Sequence, residues 1–498
     1  MVHRKIFSGD LSGTYVLLLA SSLLFFSACR DEKAPLREEP TRMEQAGKVR
    51  DSGPVLAFTG ATLIDGTGKA PLENAVVIIK GNKITQVSSA SQAKIPADAE
   101  IHDLTGKWIL PGLIDSHVHF AVAGGVYSRP DLFDLRAYKA YEEVVSGIEN
   151  RISFTLSRYL CSGVTTAIDM GGPMWTFDVR KRAAAANNAP RVAVCGPFIG
   201  LTAEAEGPTL WREDDPPSVI IRTPERAHEF VAELAERKVD MIKTGFFPMP
   251  GVTLEEYLPV LEAVVKESHA NGLRVSCHVM QLDAAKAALE RGIDVLAHVP
   301  EEPIDDEFIR MVLERDVIVI GTLTVYMGYL RVISGKPGTL PFENLVGDPD
   351  IISSWRFLED MPLAKRPAIP EFVALAPQLE KIMKENYRKL FKAGASLSLG
   401  ADSGNMGSLH GPALFREILA MDELGVPPMD ILRAATQNGG RVLSANPDRG
   451  VVGVGKLADL LILNADPLKN VQNYTDIHGV VIDGRVLDQV TLLEAPKP

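Results

Sequence analysis

Residues 111–119 read Pro111-Gly112-Leu113-Ile114-Asp115-Ser116-His117-Val118-His119. In a strand, period-two alternation points the rings of His117 and His119 to the same side. Two imidazoles at a strand end are half of a metal site, but one such pair is a weak signal by itself. The pair gains weight from its setting. Downstream the rhythm is strand, helix, strand, helix. Apolar strand-like runs fall at 113–119, 164–169, 191–195, 239–243, 273–279, 293–298, 317–322 and 396–401. Most are separated by helix-patterned segments such as 224–237, 255–271 and 281–291. Eight strands alternating with helices predict an α/β fold, a (β/α)8 TIM-like barrel over 111–443, with its chemistry at the strand C-terminal ends.

Further candidate residues fall at those ends. Lys243 closes the fourth strand, His278 the fifth, His298 the sixth and Asp402 the eighth. If the barrel forms, all of them converge on one face with His117 and His119. Several imidazoles plus a carboxylate suit zinc or a similar divalent ion, with a coordination position left for water.

On either side of the barrel the pattern turns to β. Val76 to Lys80 and Lys83 to Val87 flank Gly81-Asn82, a hairpin signal, and Gly479 to Ile482 is followed by the turn dipeptide Asp483-Gly484. Residues 55–110 and 444–490 therefore predict one small β-sandwich domain built from both chain ends. The stretch from about 323 to 375 is too long for a simple connection and reads as an excursion over the barrel mouth.

The N-terminus reads as an address. His3, Arg4 and Lys5 precede a 14-residue apolar run, Tyr15 to Ala28, too short for the ~20 residues a membrane-spanning helix needs. It ends Phe26-Ser27-Ala28-Cys29, which resembles the lipobox of bacterial lipoproteins. Residues 1–29 are thus expected to be a signal peptide with lipid carried on Cys29, and 30–54 a charged, Pro-containing tether. That places the folded part outside the cytoplasm, held to a bacterial membrane. An ordinary secretory signal cut near Ala28 is the alternative.

Composition narrows the function. The 498 residues are 46% hydrophobic and 23% charged, ample for a large core. Lys plus Arg total 52 against 64 acidic residues, a net charge of −12, so a nucleic-acid partner would meet a repulsive mean field. Four cysteines with no CxxC pair cannot make a disulfide framework. Cys161, Cys195 and Cys277 each lie in apolar sequence and are expected to be separate buried thiols.

The 111–119 stretch looks like the first-strand signature of the amidohydrolase superfamily. Gly163-Val164-Thr165-Thr166, Gly400-Ala401-Asp402-Ser403-Gly404, Ala434-Ala435-Thr436-Gln437-Asn438 and Gly455-Lys456-Leu457-Ala458-Asp459-Leu460 resemble its further markers. Their order is most similar to the imidazolonepropionase-like and prolidase-like branch, over roughly 55–486. The resemblance implies a metal-bearing (β/α)8 barrel joined to the β-sandwich. It implies that His117, His119 and Asp402 hold one metal, that His278 and His298 hold a second, and that Lys243 bridges them as a carbamate. Two zinc ions are expected, with manganese, cobalt or iron also compatible. Asp402 is expected to shuttle a proton during hydrolysis of a carbon–nitrogen bond in a small substrate, such as a dipeptide or N-acyl amino acid.

Each assignment has a plainer alternative. Lys243 pairs with a substrate carboxylate or with Asp240, and Asp402 is a ligand only. Met280 stands where many relatives carry a second histidine, and Thr244-Gly245-Phe246-Phe247-Pro248-Met249-Pro250 replaces a Gly-rich loop. The two phenylalanines form a side-chain pocket or pack under the loop. His410 suits a helix start or a supporting role better than substrate contact. Tyr326, Tyr329 and Arg331 are candidate carboxylate binders on the excursion, left outside the site. A cyclic amide hydrolase, a deaminase or a non-catalytic metal-binding lipoprotein are the competing functions.

Overall fold

The computed structural model describes residues 53–201, 215–247, 252–362 and 369–494. The expected signal peptide lies outside them, as does the tether apart from its last two residues. Strands in chain order begin with β1 (Val55–Leu63), β2 (Leu72–Lys80), β3 (Lys83–Ser89), β4 (Glu100–Asp103) and β5 (Trp108–Pro111). Next comes a parallel series: β6 (Leu113–Val118), β7 (Val164–Asp169), β8 (Arg191–Val194), β9 (Phe198–Gly200), β10 (Ser218–Ile220), β11 (Ile242–Gly245), β12 (Val275–His278), β13 (Val295–Ala297), β14 (Ile318–Ile320) and β15 (Ser396–Ser398). The chain closes with β16 (Leu460–Leu463), β17 (Ile477–Ile482) and β18 (Arg485–Asp488).

Strands from the two chain ends share one hydrogen-bonded sheet, in the order β18-β17-β16-β5-β1-β2-β3 with β4 paired to β1. Its hydrogen bonds run through all of these strands as one continuous sheet. Both turn signals hold. Gly81 takes φ +60° between the paired Lys80 and Lys83. Asp483 and Gly484 both take positive φ, the geometry that keeps a two-residue turn in step with strand twist. Leu56, Phe58, Leu63, Val77, Ile79, Ile109, Leu460 and Ile462 belong to one buried cluster on this sheet.

The other strands form two parallel sheets, β6-β7-β8 and β10-β9-β11-β12-β13-β14-β15. Backbone bonds join the two at both margins. Asp240 N–H donates to Val194 O at 3.0 Å on one side, and Ser116 N–H to Leu399 O at 3.0 Å on the other. Each of the eight expected strands has a counterpart. The fourth is displaced: it runs 242–245, so Lys243 is its second residue and not its last. Asp240, just ahead of it, uses its carboxylate to accept from Val194 N–H at 2.8 Å and to pair with Arg180 at 2.7 Å. The three-residue β9 and β10 were not anticipated.

The helices between strands start where local chemistry allows. Thr253 accepts from Glu256 N–H while Glu256 accepts from Thr253 N–H, a reciprocal cap for the helix Leu254–Ala270. The 323–375 excursion contains short helices, among them Val325–Ile333 and Pro349–Trp355. Tyr329, Trp355 and Leu358 share an apolar cluster with Val126 and Phe133 from the loop after β6. Trp355 Nε1–H donates to Gly124 O at 2.8 Å, pinning the excursion to that loop.

Two contacts set the terminal sheet against the parallel strands. Gly112 N–H donates to Asp459 O at 2.8 Å, and a Cβ on Gly112 would lie 2.1 Å from Thr165 Oγ1. Only glycine fits there. Arg191, at the start of β8, pairs with Asp459 at 2.7 Å and with Asp483 at 3.1 Å, all but Asp483 deeply buried. The three remaining cysteines are buried and free, as expected.

Candidate active site

His117 and His119 stand on β6 and just beyond it, on the same side. Their Nε2 atoms are 3.2 Å apart. Asp402 lies just past β15 and places Oδ1 3.2 Å from His119 Nε2 and 3.6 Å from His117 Nε2. Among the described residues these three form the group of His, Cys, Asp and Glu whose donor atoms converge. Ligands ~2.0–2.1 Å from a tetrahedral zinc are ~3.3 Å from one another, so the three separations are those of donors around one cation. His119 Nδ1 lies 2.8 Å from Gly171 O, which accepts its proton and leaves the Nε2 lone pair facing inward. Burial lowers His119, but the hydrogen bond and charge of Asp402 outweigh it and leave the ring raised. Burial would raise Asp402, yet His117 and His119 hold it well below the usual carboxylate range.

His278 ends β12 and His298 lies just past β13, with ring centroids 4.6 Å apart; His298 is 4.8 Å from His117. The four imidazoles thus form one continuous group. His278 Nε2 is buried with no hydrogen-bond partner among the described residues, an atom placed as a ligand would be. His298 Nδ1 is hydrogen-bonded to Thr322 Oγ1. Lys243 is buried beside them. Burial first and the Lys243 charge next push His117 well down. Burial, His298 and Lys243 do the same to His278, and His298 falls to about 3. An ammonium among neutral imidazoles is an unfavourable neighbour in a low-dielectric site. All six sequence candidates are therefore brought to one place.

Backbone strain marks the same residues. His298, Thr322 and Asp402 take φ of +80°, +44° and +49°, left-handed conformations uncommon outside glycine and least expected of the β-branched Thr322. The turn out of each strand is bent to aim a side chain inward.

A cavity of about 300 Å³ opens above the group. Phe247 reaches it and lies 4.4 Å from the His278 ring, while Phe246 is buried against Tyr257. Each of the two readings of the pair is right for one phenylalanine. Met280 lines the cavity, and so do Tyr326 and Tyr329, whereas Arg331 turns away to donate to Pro337 O. His410 is a supporting residue. It bonds to Tyr159 OH and Val122 O, each at 2.8 Å, and burial lowers it to about 4.

Sequence reasoning missed four residues here. Arg129 lines the cavity, donates to Asp131 through Nε at 2.9 Å and Nη2 at 2.6 Å, and bonds to Asn405. Asn405 Nδ2 in turn donates to Asp402 Oδ1 at 2.7 Å. Glu301 accepts from Tyr326 OH at the cavity wall. Position in a loop that leaves a strand end was the signal available: Arg129 and Asp131 lie in the loop after β6, Glu301 after β13 and Asn405 after β15.

A model of the amidohydrolase family matches residues 108–487. An imidazolonepropionase of Geobacillus sp. (strain WCH70) is 26% identical, over 84% of this chain and 90% of its own. A 5′-deoxyadenosine deaminase of Methanothermobacter thermautotrophicus is 23% identical, over 87% and 92%. Among solved structures, a Xaa-Pro dipeptidase with bound methionine in the active site superposes with a TM-score of 0.67 at 20% identity, covering 87% of this chain and all of that one.

Proposed function

The chain belongs to the amidohydrolase family, and from that premise we propose that it is a metal-dependent hydrolase of amide or peptide-like bonds in a small substrate such as a dipeptide or N-acyl amino acid. That it is an enzyme acting on carbon–nitrogen bonds comes from the family. We take the two parallel sheets, bonded at both margins, as a (β/α)8 barrel whose strand ends carry the site. The observation that carries the reading is the convergence of His117, His119 and Asp402 donor atoms beneath an apolar-walled cavity.

These residues suit divalent cations, with His117, His119 and Asp402 holding one and His278 and His298 the other. Lys243, deprotonated and joined to carbon dioxide as a carbamate, would bridge the two as an anionic oxygen ligand in place of an ammonium. Two bound cations would lower the pKa of a water molecule and polarise the scissile carbonyl. Asp402 Oδ1 is occupied by Asn405, so Oδ2 takes the proton of the attacking water and hands it to the leaving nitrogen. The Thr322 bond keeps the His298 ring in one orientation. Phe247 and Met280 shield the reacting bond from bulk water.

A second reading, opening of a cyclic amide, is favoured by the similarity to an imidazolonepropionase along most of both chains. Metal content on the chain lacking residues 1–29, followed by a panel of dipeptides, N-acyl amino acids and lactams, separates the readings. Two equivalents of metal with release of two amino acids from a dipeptide, or of one amino acid and a carboxylic acid from an N-acyl amino acid, supports the first. Ring opening alone supports the second, and ammonia release would point to a deaminase. No hydrolysis by fully metallated protein would sink both.

We also propose that Cys29 carries lipid and holds the enzyme outside the cytoplasm, on the strength of the Phe26-Ser27-Ala28-Cys29 sequence. Expression with an alkyne-tagged fatty acid should label the wild type and not Cys29→Ser; equal labelling of both would remove the idea.

A further inference from the structure

Five charged side chains other than histidine line the cavity among the described residues: Arg129, Asp131, Lys243, Glu301 and Asp402. Four are matched. Arg129 and Asp131 neutralise each other in a two-pronged pair. Asp402 lies against His117 and His119, and Lys243 stands among His117, His278 and His298. Glu301 is different. No cation among the described residues pairs with it, and its carboxylate meets the Tyr326 hydroxyl. Its backbone N–H is fixed to Met280 O at 2.8 Å, so the side chain projects from an anchored point.

A partly buried carboxylate facing a cavity without a cation paired to it is unfavourable, and a cation brought in by a ligand relieves it. Burial pushes Glu301 above its usual range even though the Tyr326 bond pulls it down. The same cavity is walled in part by the apolar side chains of Phe198, Phe247, Met280 and Val325. The site thus offers one unmatched negative charge at the edge of a greasy pocket, a few residues beyond the strand that delivers His298. We infer that Glu301, oriented by Tyr326, is a specificity-determining residue that selects substrates bearing an ammonium or guanidinium group beside an apolar body. This rests on the hydrolase reading above and names the substrate class of that site.

The test uses full-length, metal-loaded enzyme in detergent and two ligand pairs, each differing by one positive charge and neither containing a hydrolysable peptide bond. L-leucinol against 4-methylpentan-1-ol probes an α-ammonium, and L-arginine against L-citrulline probes a guanidinium. Calorimetry on the wild type should show the charged member of one pair binding about tenfold tighter or more. Glu301→Gln should erase that gap and leave the neutral members' affinity unchanged, with thermal melting confirming that the variant is folded. Equal binding within both pairs, or a gap that survives in Glu301→Gln, overturns the assignment. A hydrolysis panel run alongside separates the two ideas. A charge preference in binding without turnover of any amide leaves Glu301 standing and removes the hydrolase reading, and turnover without charge preference does the reverse.

Discussion

Asp115 holds Asp402 by its neighbours: one carboxylate oxygen accepts from Ala401 N–H at 2.9 Å and the other from Ser403 Oγ at 3.1 Å. The first strand thereby sets the position of a side chain nearly three hundred residues later. Burial pushes Asp115 up to about 7, against the hydrogen bonds that pull it down.

Asp115→Ala should therefore disturb the site from behind its ligands, since Asp115 also accepts from His117 N–H at 3.4 Å. Losing such an outer partner typically costs 10–100-fold in metal affinity or activity. We expect kcat to fall by about that factor with KM little changed, and metal to be stripped at lower chelator concentration. Unchanged metal retention and kcat would show that Asp402 is positioned by its own strained turn alone.

Lys243→Ala should lower metal content from two equivalents per chain toward one and reduce kcat by roughly a hundredfold or more, the scale of a catalytic electrostatic group. Formate or propionate should restore part of the activity by occupying the space of a bridging oxygen ligand. Two equivalents of metal in the variant would end the bridging role.

Arg191→Met should destabilise the junction between the terminal sheet and the parallel strands. It takes both guanidinium bonds from the buried Asp459 and a third from Asp483. Breaking a buried ion pair from one side costs about 3–5 kcal/mol. Urea unfolding should move to a lower midpoint by that amount, while the metal stoichiometry of the folded protein stays the same.

Glu417 is fully buried and accepts from Leu323 N–H, Thr324 N–H and Thr324 Oγ1, each at 2.8 Å. Burial nonetheless raises it from 4.5 to about 7. Between those values the folded chain holds more protons than the unfolded one, so stability falls as pH rises through the window. One such group contributes a slope of up to about 1.4 kcal/mol per pH unit. Glu417→Gln should flatten the decline between pH 5 and 7 without abolishing it, because Asp115 and Asp169 are also raised to about 7. An unaltered slope would mean that Glu417 is ionised throughout.

The strand–helix rhythm, the Gly81-Asn82 hairpin and the placing of His117, His119, Lys243, His278, His298 and Asp402 together were legible in the sequence. Periodicity and turn chemistry are local, and a residue at a strand end inherits its destination from the strand. Where the local signal weakened, the reading slipped. Lys243 sits inside its strand because Asp240 takes up a ladder position with its side chain. What only the tertiary structure decided was which loop residues meet. Arg129 reaches Asn405 from 276 positions away, and Tyr326 closes on Glu301 across the mouth. Phe247 turns to the cavity while Phe246 turns to the core. Such contacts have no period. They depend on how several strand ends are brought to one rim, and a long-range approach of that kind is set by packing of the whole fold, which no short stretch of sequence records.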